Sequence, residues 1–186
     1  MPVAKIDSFY SHTRVRLCLW VICALVCIAG SATAQTITLT GLDDINFGTI
    51  EFTQPVSGQV RMGTNGSMTY DAAYSGSGTG QAGRIEIDVT AGTTVEISCD
   101  NQATLTDSSA NTLTMNGEIA LAPGTIAGSG TDCTGISNVV LTHTVATGTS
   151  ILHTAGALNP PGALTSGTYR TQNTSGAPLS VRVVVQ

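Results

Sequence analysis

A two-residue alternation in the middle of this chain decides what it can fold into. In Arg84-Ile85-Glu86-Ile87-Asp88-Val89 the apolar side chains fall on one parity and the charged ones on the other. Successive side chains of a β-strand point to opposite faces, so the pattern describes a strand with one buried and one wet face. Ala91-Gly92 is a turn signal, and Thr94 to Cys99 repeats the alternation with Val95, Ile97 and Cys99 on the inner side. The two runs predict a hairpin whose second strand carries Cys99 to the core face. Further strands are predicted at Thr36–Thr40, Ile45–Glu51, Gln59–Met62, Thr112–Met115, Glu118–Ala122, Asn138–Ala146, Ser150–His153, Gly167–Thr171 and Leu179–Val185. No stretch carries apolar residues at helical spacing with caps. Many short strands around Gly-rich turns predict an all-β domain of two packed antiparallel sheets.

The first 34 residues have a different character. Lys5, Arg14 and Arg16 precede an apolar run from Leu17 to Ala29, and Ala32-Thr33-Ala34 supplies small residues for cleavage. That order predicts a secretory signal peptide over residues 1–34, cut before Gln35. The apolar run falls short of the roughly 20 residues a membrane-spanning helix needs, so export without insertion is expected. A lipoprotein cut would place a cysteine after a small residue. Val26 precedes Cys27 and Ile22 precedes Cys23, so neither fits.

Without that leader the chain keeps 4 of its 7 cations and 11 of its 12 acids, a net charge of −7. Arg61, Arg84, Arg170 and Arg182 are the remaining cations, and no lysine is left. Phosphate backbones are bound by clustered Lys and Arg, so nucleic acid is not an expected partner, and anionic membrane surfaces are disfavoured for the same reason. Gln35–Gln186 is long enough for a single core. Its Gly, Thr and Ser content could suit disorder, but β-branched apolar runs recur along nearly its whole length. Ser75-Gly76-Ser77-Gly78-Thr79-Gly80 reads as the flexible tip of a connection. The residues before it are too few to hold their own core, so one domain over 35–186 is expected.

Cys18, Cys23 and Cys27 lie in the leader, leaving Cys99 and Cys133. Two cysteines in an oxidising compartment predict one disulfide. They lack the close pairing that zinc sites use.

Other patterns yield to plainer readings. Gly78-Thr79-Gly80-Gln81-Ala82-Gly83 matches GxGxxG, but a dinucleotide site needs a strand before it and a helix after it, and here a strand follows. Asp43-Asp44 lacks the further oxygen ligands of a calcium loop and reads as a solvated turn. His143 and His153 share parity with apolar neighbours and read as packed or edge histidines, since no carboxylate at ligand spacing accompanies them. There is no GxSxG elbow and no spare cysteine nucleophile. No carboxylate pair stands out for acid–base work, so neither enzyme activity nor a cofactor is expected. The rings outside the leader, Phe47, Phe52, Tyr70, Tyr74 and Tyr169, are scattered, leaving at most a small site around Tyr70 and Tyr74. Lysine-linked pilus assembly has no lysine to use. Ile37 and Leu39 share one face of the first strand signal and mark it as a possible donor strand for a neighbouring subunit.

Three segments carry a resemblance. They are Ile45-Asn46-Phe47-Gly48-Thr49-Ile50, Gly83 to Val95, and Gly156-Ala157-Leu158 followed by Ser166-Gly167-Thr168-Tyr169 and a valine-rich last strand. With them the chain resembles a bacterial family of exported β-sandwich domains of unknown function, which is similar in turn to spore-coat and fimbrial subunits of the chaperone–usher kind. The resemblance implies an immunoglobulin-like sandwich completed by a strand from the next subunit. It departs from those subunits in the late position of Cys99 and Cys133, in the missing C-terminal aromatic and in the shortness of Thr36–Thr40. The expected function is that of a non-enzymatic structural or adhesive protein in the periplasm, on the outer surface or outside the cell. Its expected partners are copies of itself or other surface subunits. The alternative is a self-contained secreted or periplasmic binding module.

Overall fold

β6 (Gly83–Asp88) and β7 (Thr93–Cys99), the two alternating runs, both form, but they part at the turn between them. β6 pairs with β1 (Thr38–Asp43) and β12 (Thr149–Asn159), whereas β7 pairs with β11 (Leu141–Val145) and β13 (Val181–Val185). The expected hairpin is therefore a corner between sheets. Each strand buries one apolar face, and folding the chain over lets those faces meet across a core instead of lying side by side. The turns before β7 and before β12 sit together at this corner, joined by Gly92 N–H to Val145 O and Val89 N–H to Gly148 O, both 2.8 Å. Gly92 and Gly148 have φ of 85° and 88°, a region that strains residues with a Cβ.

The structure is a computed structural model that describes residues 35–53, 58–77, 80–122, 130–162, 166–169, 171 and 176–186. By contacts the chain divides into Met1–Thr33, which holds most of the expected leader and lies outside the described residues, and Ala34–Gln186. The described residues contain strands and no helix. One antiparallel sheet of eight strands runs β1-β6-β12-β3-β4, where β3 is Val60–Met62 and β4 is Met68–Tyr70. On the other side of β12 it adds β9 (Thr112–Ala120), which also pairs β8 (Gln102–Thr106) and β10 (Thr131–Asp132). The second sheet is β11-β7-β13, and a two-stranded sheet joins β2 (Thr49–Phe52) to β5 (Tyr74–Ser77). The all-β antiparallel sandwich expected from the alternation is the architecture observed.

Several boundaries differ from expectation, each for a local reason. β9 runs unbroken through Asn116-Gly117, where two separate strands are expected, because Gly117 pairs with Gly156 of β12. Ser75-Gly76-Ser77 is strand, not a loop tip, because its backbone pairs with Thr49–Glu51 and the Tyr70 ring lies over Gly76. β2 starts late because the Asn46 side chain accepts a bond from Gly48 N–H at 2.8 Å, closing a turn with Gly48 at φ 69°. Among the described residues of Gly167–Thr171 no strand forms. The Gly78-Thr79 part of the GxGxxG match lies outside the described residues.

The main core lies between the two larger sheets. Ile87, Val95, Ile97, Val145, Leu152 and Ile119 are fully buried there, joined by Cys99 and Cys133. A second cluster, Val60, Tyr74, Ala103, Leu113, Met115 and Leu158, fills the space under the β2–β5 pair.

Candidate functional site

The β6/β12 ribbon folds over the corner into the β7/β11 ribbon, and this fixes where the open sheet edges lie. β1 flanks β6 on the side away from β12, and β13 flanks β7 on the side away from β11. Both edge strands therefore stand on one flank of the sandwich. Among the described residues neither has a second strand partner. Next to them, over the second apolar cluster, lies a cleft of about 1140 Å³ lined by Phe47, Ile50, Leu105, Met115 and Leu179, which Gly41 and Asp43 of β1 and Val181 of β13 also touch.

β1 is held loosely. Its register places Thr38 opposite Asp88, Leu39 opposite Ile87, Thr40 opposite Glu86 and Gly41 opposite Ile85, then shifts at a bulge so that Asp43 meets Arg84. Every side chain from Thr38 to Leu42 is exposed, and Leu39 and Leu42 both keep 42% of their surface. Ile37, just before the strand, packs against the main core. The two residues expected to share a donor face are thus in different settings: Ile37 is half-buried, while Leu39 points to the inner side at an edge that no opposing strand covers. What holds β1 is its main-chain ladder, at about 0.5–1.5 kcal/mol net per bond, together with an ion pair between the Asp43 carboxylate and the Arg84 guanidinium. Sequence reading assigned Asp43 to a solvated turn and missed this pair. The signal was present in Arg84, the single cation of an otherwise acidic strand face.

The two sheets are tied covalently. Cys99 and Cys133 form a disulfide with Cα atoms 5.1 Å apart, so the expected pair is brought together. Cys99 ends β7, while Cys133 follows β10 and hydrogen-bonds Gly117 of β9, so the bond joins the two sheets. Gly135 N–H donates to Cys99 O at 3.0 Å and the Ser98 hydroxyl donates to Ile136 O at 2.8 Å, fastening the segment after Cys133 to β7.

The remaining polar residues are dispersed. His143 shares its inner-face position with Val95 of β7 and contacts the Ser150 hydroxyl at 2.9 Å. His153 lies on the outer face of the larger sheet opposite Arg84, so the two histidines are not brought together. Burial, and then the Arg84 charge, lower the His153 pKa. Tyr74 is buried in the second cluster, and its pKa is raised by burial and by Asp71, while the Tyr70 hydroxyl end covers Gly76. These two rings do not form an exposed platform. Asp107 accepts bonds from the Ser109 and Asn111 N–H groups and the Asn111 amide, each 2.8 Å, and the Asn111 amide above all lowers its pKa. No group of three or more His, Cys, Asp or Glu among the described residues is placed to hold a metal ion.

No curated protein and no solved structure matches the chain. Residues 36–177, from just before β1 to just before β13, match the family described as Domain of unknown function (DUF4402). The chain belongs to that family.

Proposed function

We propose that this protein is a non-enzymatic subunit of an exported surface assembly whose copies join by exchanging β1. The observation that carries the proposal is the pairing of two open edges on one flank with a strand whose side chains bury almost nothing. β1 makes main-chain bonds that an identical strand from a neighbour makes equally well, so exchange costs little apart from opening the monomer. Peptide strands added to a sheet edge gain affinity from such bonds, and alternate side chains fill the sites beside them. Ile37 is the anchor on this reading, because it reaches the main core, while Leu39 and Leu42 stay exposed. An uncovered edge strand is otherwise an aggregation hazard, and this edge carries neither lysine nor proline to protect it. The intersheet disulfide supports the same reading. It holds the two sheets together while β1 leaves, and it suits an oxidising compartment outside the cytoplasm.

The competing reading is a self-contained binding module in which β1 stays on its own β6. The ladder observed within one chain is compatible with it. Deletion of residues 35–42 separates the two. Under strand exchange the shortened protein stops assembling, and an added peptide of residues 35–42 restores its stability without restoring assemblies. Under the competing reading the full chain is monomeric at every concentration, and deletion changes stability alone.

A further inference from the structure

We infer that Asp43 and Arg84 form a charge code that fixes the register of β1 on β6 and so selects which strand can occupy that seat. The inference rests on the proposed exchange of β1. Register in a sheet is normally specified by the apolar pattern, because a one-residue slip turns every side chain to the other face. A two-residue slip escapes that control. It leaves each side chain on its own face, and β1, whose side chains from Thr38 to Leu42 are exposed, has little packing beyond that of Ile37 to oppose it.

Charge supplies what packing lacks. The outer face of β6 carries Arg84, Glu86 and Asp88, and the observed register sets Asp43, Thr40 and Thr38 opposite them in that order. Slipped two residues one way, Asp43 stands opposite Glu86, and directly opposed like charges destabilise a sheet. Slipped the other way, Thr40 faces Arg84 and Asp43 passes the end of β6. Only the observed register joins the carboxylate to the guanidinium. The bulge between Gly41 and Asp43 makes that meeting possible by advancing Asp43 one residue along β1. On the other side of Arg84, the in-register neighbours are His153 of β12 and then Ala120 of β9, and neither supplies a counter-charge. Any strand that replaces β1, including one from a second copy, therefore needs an acid at the position of Asp43 and uncharged residues at the two positions before the bulge that face Glu86 and Asp88.

Charge reversal tests this with the chain beginning at Gln35. Asp43→Arg and Arg84→Asp should each lower hydrogen-exchange protection of the β1–β6 ladder in the monomer about tenfold, and the double reversal should restore it. In assembly, each single variant alone should form assemblies about tenfold more slowly than the wild type. An equimolar mixture of the two should recover, since each then offers the strand the other's β6 accepts. Asp43→Asn, which removes the pair without placing like charges together, guards against misfolding and should fall between wild type and reversal. Single reversals with wild-type ladder protection, or a mixture no faster than its components, would overturn the charge code while leaving strand exchange intact. A wild-type chain that never assembles would instead remove the proposed function, and the monomer protection pattern would still decide the register.

Discussion

Cys133 donates its backbone N–H to the carbonyl of Gly117 at 3.0 Å, and the two residues meet where the sheets are covalently joined. A Cβ on Gly117 would lie 2.5 Å from Leu179 Cδ1 and 3.3 Å from the Cys133 sulfur. The bare backbone at Gly117 is thus what lets Leu179 and the disulfide close over β9.

Gly117 and its cross-strand partner Gly156 should respond differently to alanine. At Gly117 the nearest obstacle is the flexible end of Leu179, which can turn aside, so Gly117→Ala should cost about 1–3 kcal/mol as an overpacking effect. At Gly156 the added Cβ would sit 2.0 Å from the backbone oxygen of Asn116, which cannot move without breaking the β9–β12 ladder. Gly156→Ala should therefore be the more damaging of the two. Urea unfolding of both variants ranks them directly, and equal midpoints would contradict the close approach at Gly156.

Replacing the disulfide with the double variant Cys99→Ala/Cys133→Ala should cost about 2–5 kcal/mol, as for a native bridge in a small domain. Because the bond joins the two sheets, the loss should appear throughout the main core and not only near residue 133. Hydrogen exchange at Val95 and Ile97 checks this. Protection there that is unchanged in the double variant would show that the sheets do not depend on the tie.

Two residues give the stability a defined response to acid. The Asp107 pKa is lowered in the folded protein, chiefly by the Asn111 amide. Its contribution is complete above the unfolded carboxyl value of about 3.9 and is lost as pH falls through the lower folded value. The His153 pKa is also lowered, by burial and then by Arg84, so the unfolded chain takes up this proton first. Stability should decline as pH drops from about 6.5 toward the folded His153 value. His153→Gln should flatten the limb below pH ~6.5, and Asp107→Asn the limb below pH ~4. Thermal melts across pH 2–8 measure both, and a His153→Gln profile that tracks the wild type would show that the imidazole does not contribute.

The fold class was legible in the sequence because period-2 alternation reports burial directly: Ile87, Val95, Ile97 and Cys99 all face the core as their parity requires. The disulfide followed from counting cysteines once the expected leader was set aside. Pairing partners were harder to read. Nothing in residues 84–99 separates a hairpin from a corner between sheets, since both place the same side chains inward and only the distant strands β1, β12, β11 and β13 decide. β8 was missed because Gln102-Ala103-Thr104-Leu105-Thr106 offers just two apolar residues, although Ala103 is buried against Met115. The site was only partly legible. Ile37 and Leu39 marked the strand, but the Asp43–Arg84 pair depends on a bulge that local sequence does not announce.

Whether β1 passes between copies is tested most directly by locking it in place. Thr40 and Glu86 are in-register partners on the outer face of β1 and β6, so Thr40→Cys/Glu86→Cys can bond the strand to its own chain without entering the core. Oxidised as a monomer, this variant should remain monomeric at concentrations where the wild type assembles. Reduced first, allowed to assemble and then oxidised, it should give chains covalently linked to one another through residues 40 and 86. Assembly of the locked monomer at the wild-type rate, or links confined within single chains after assembly, would contradict strand exchange.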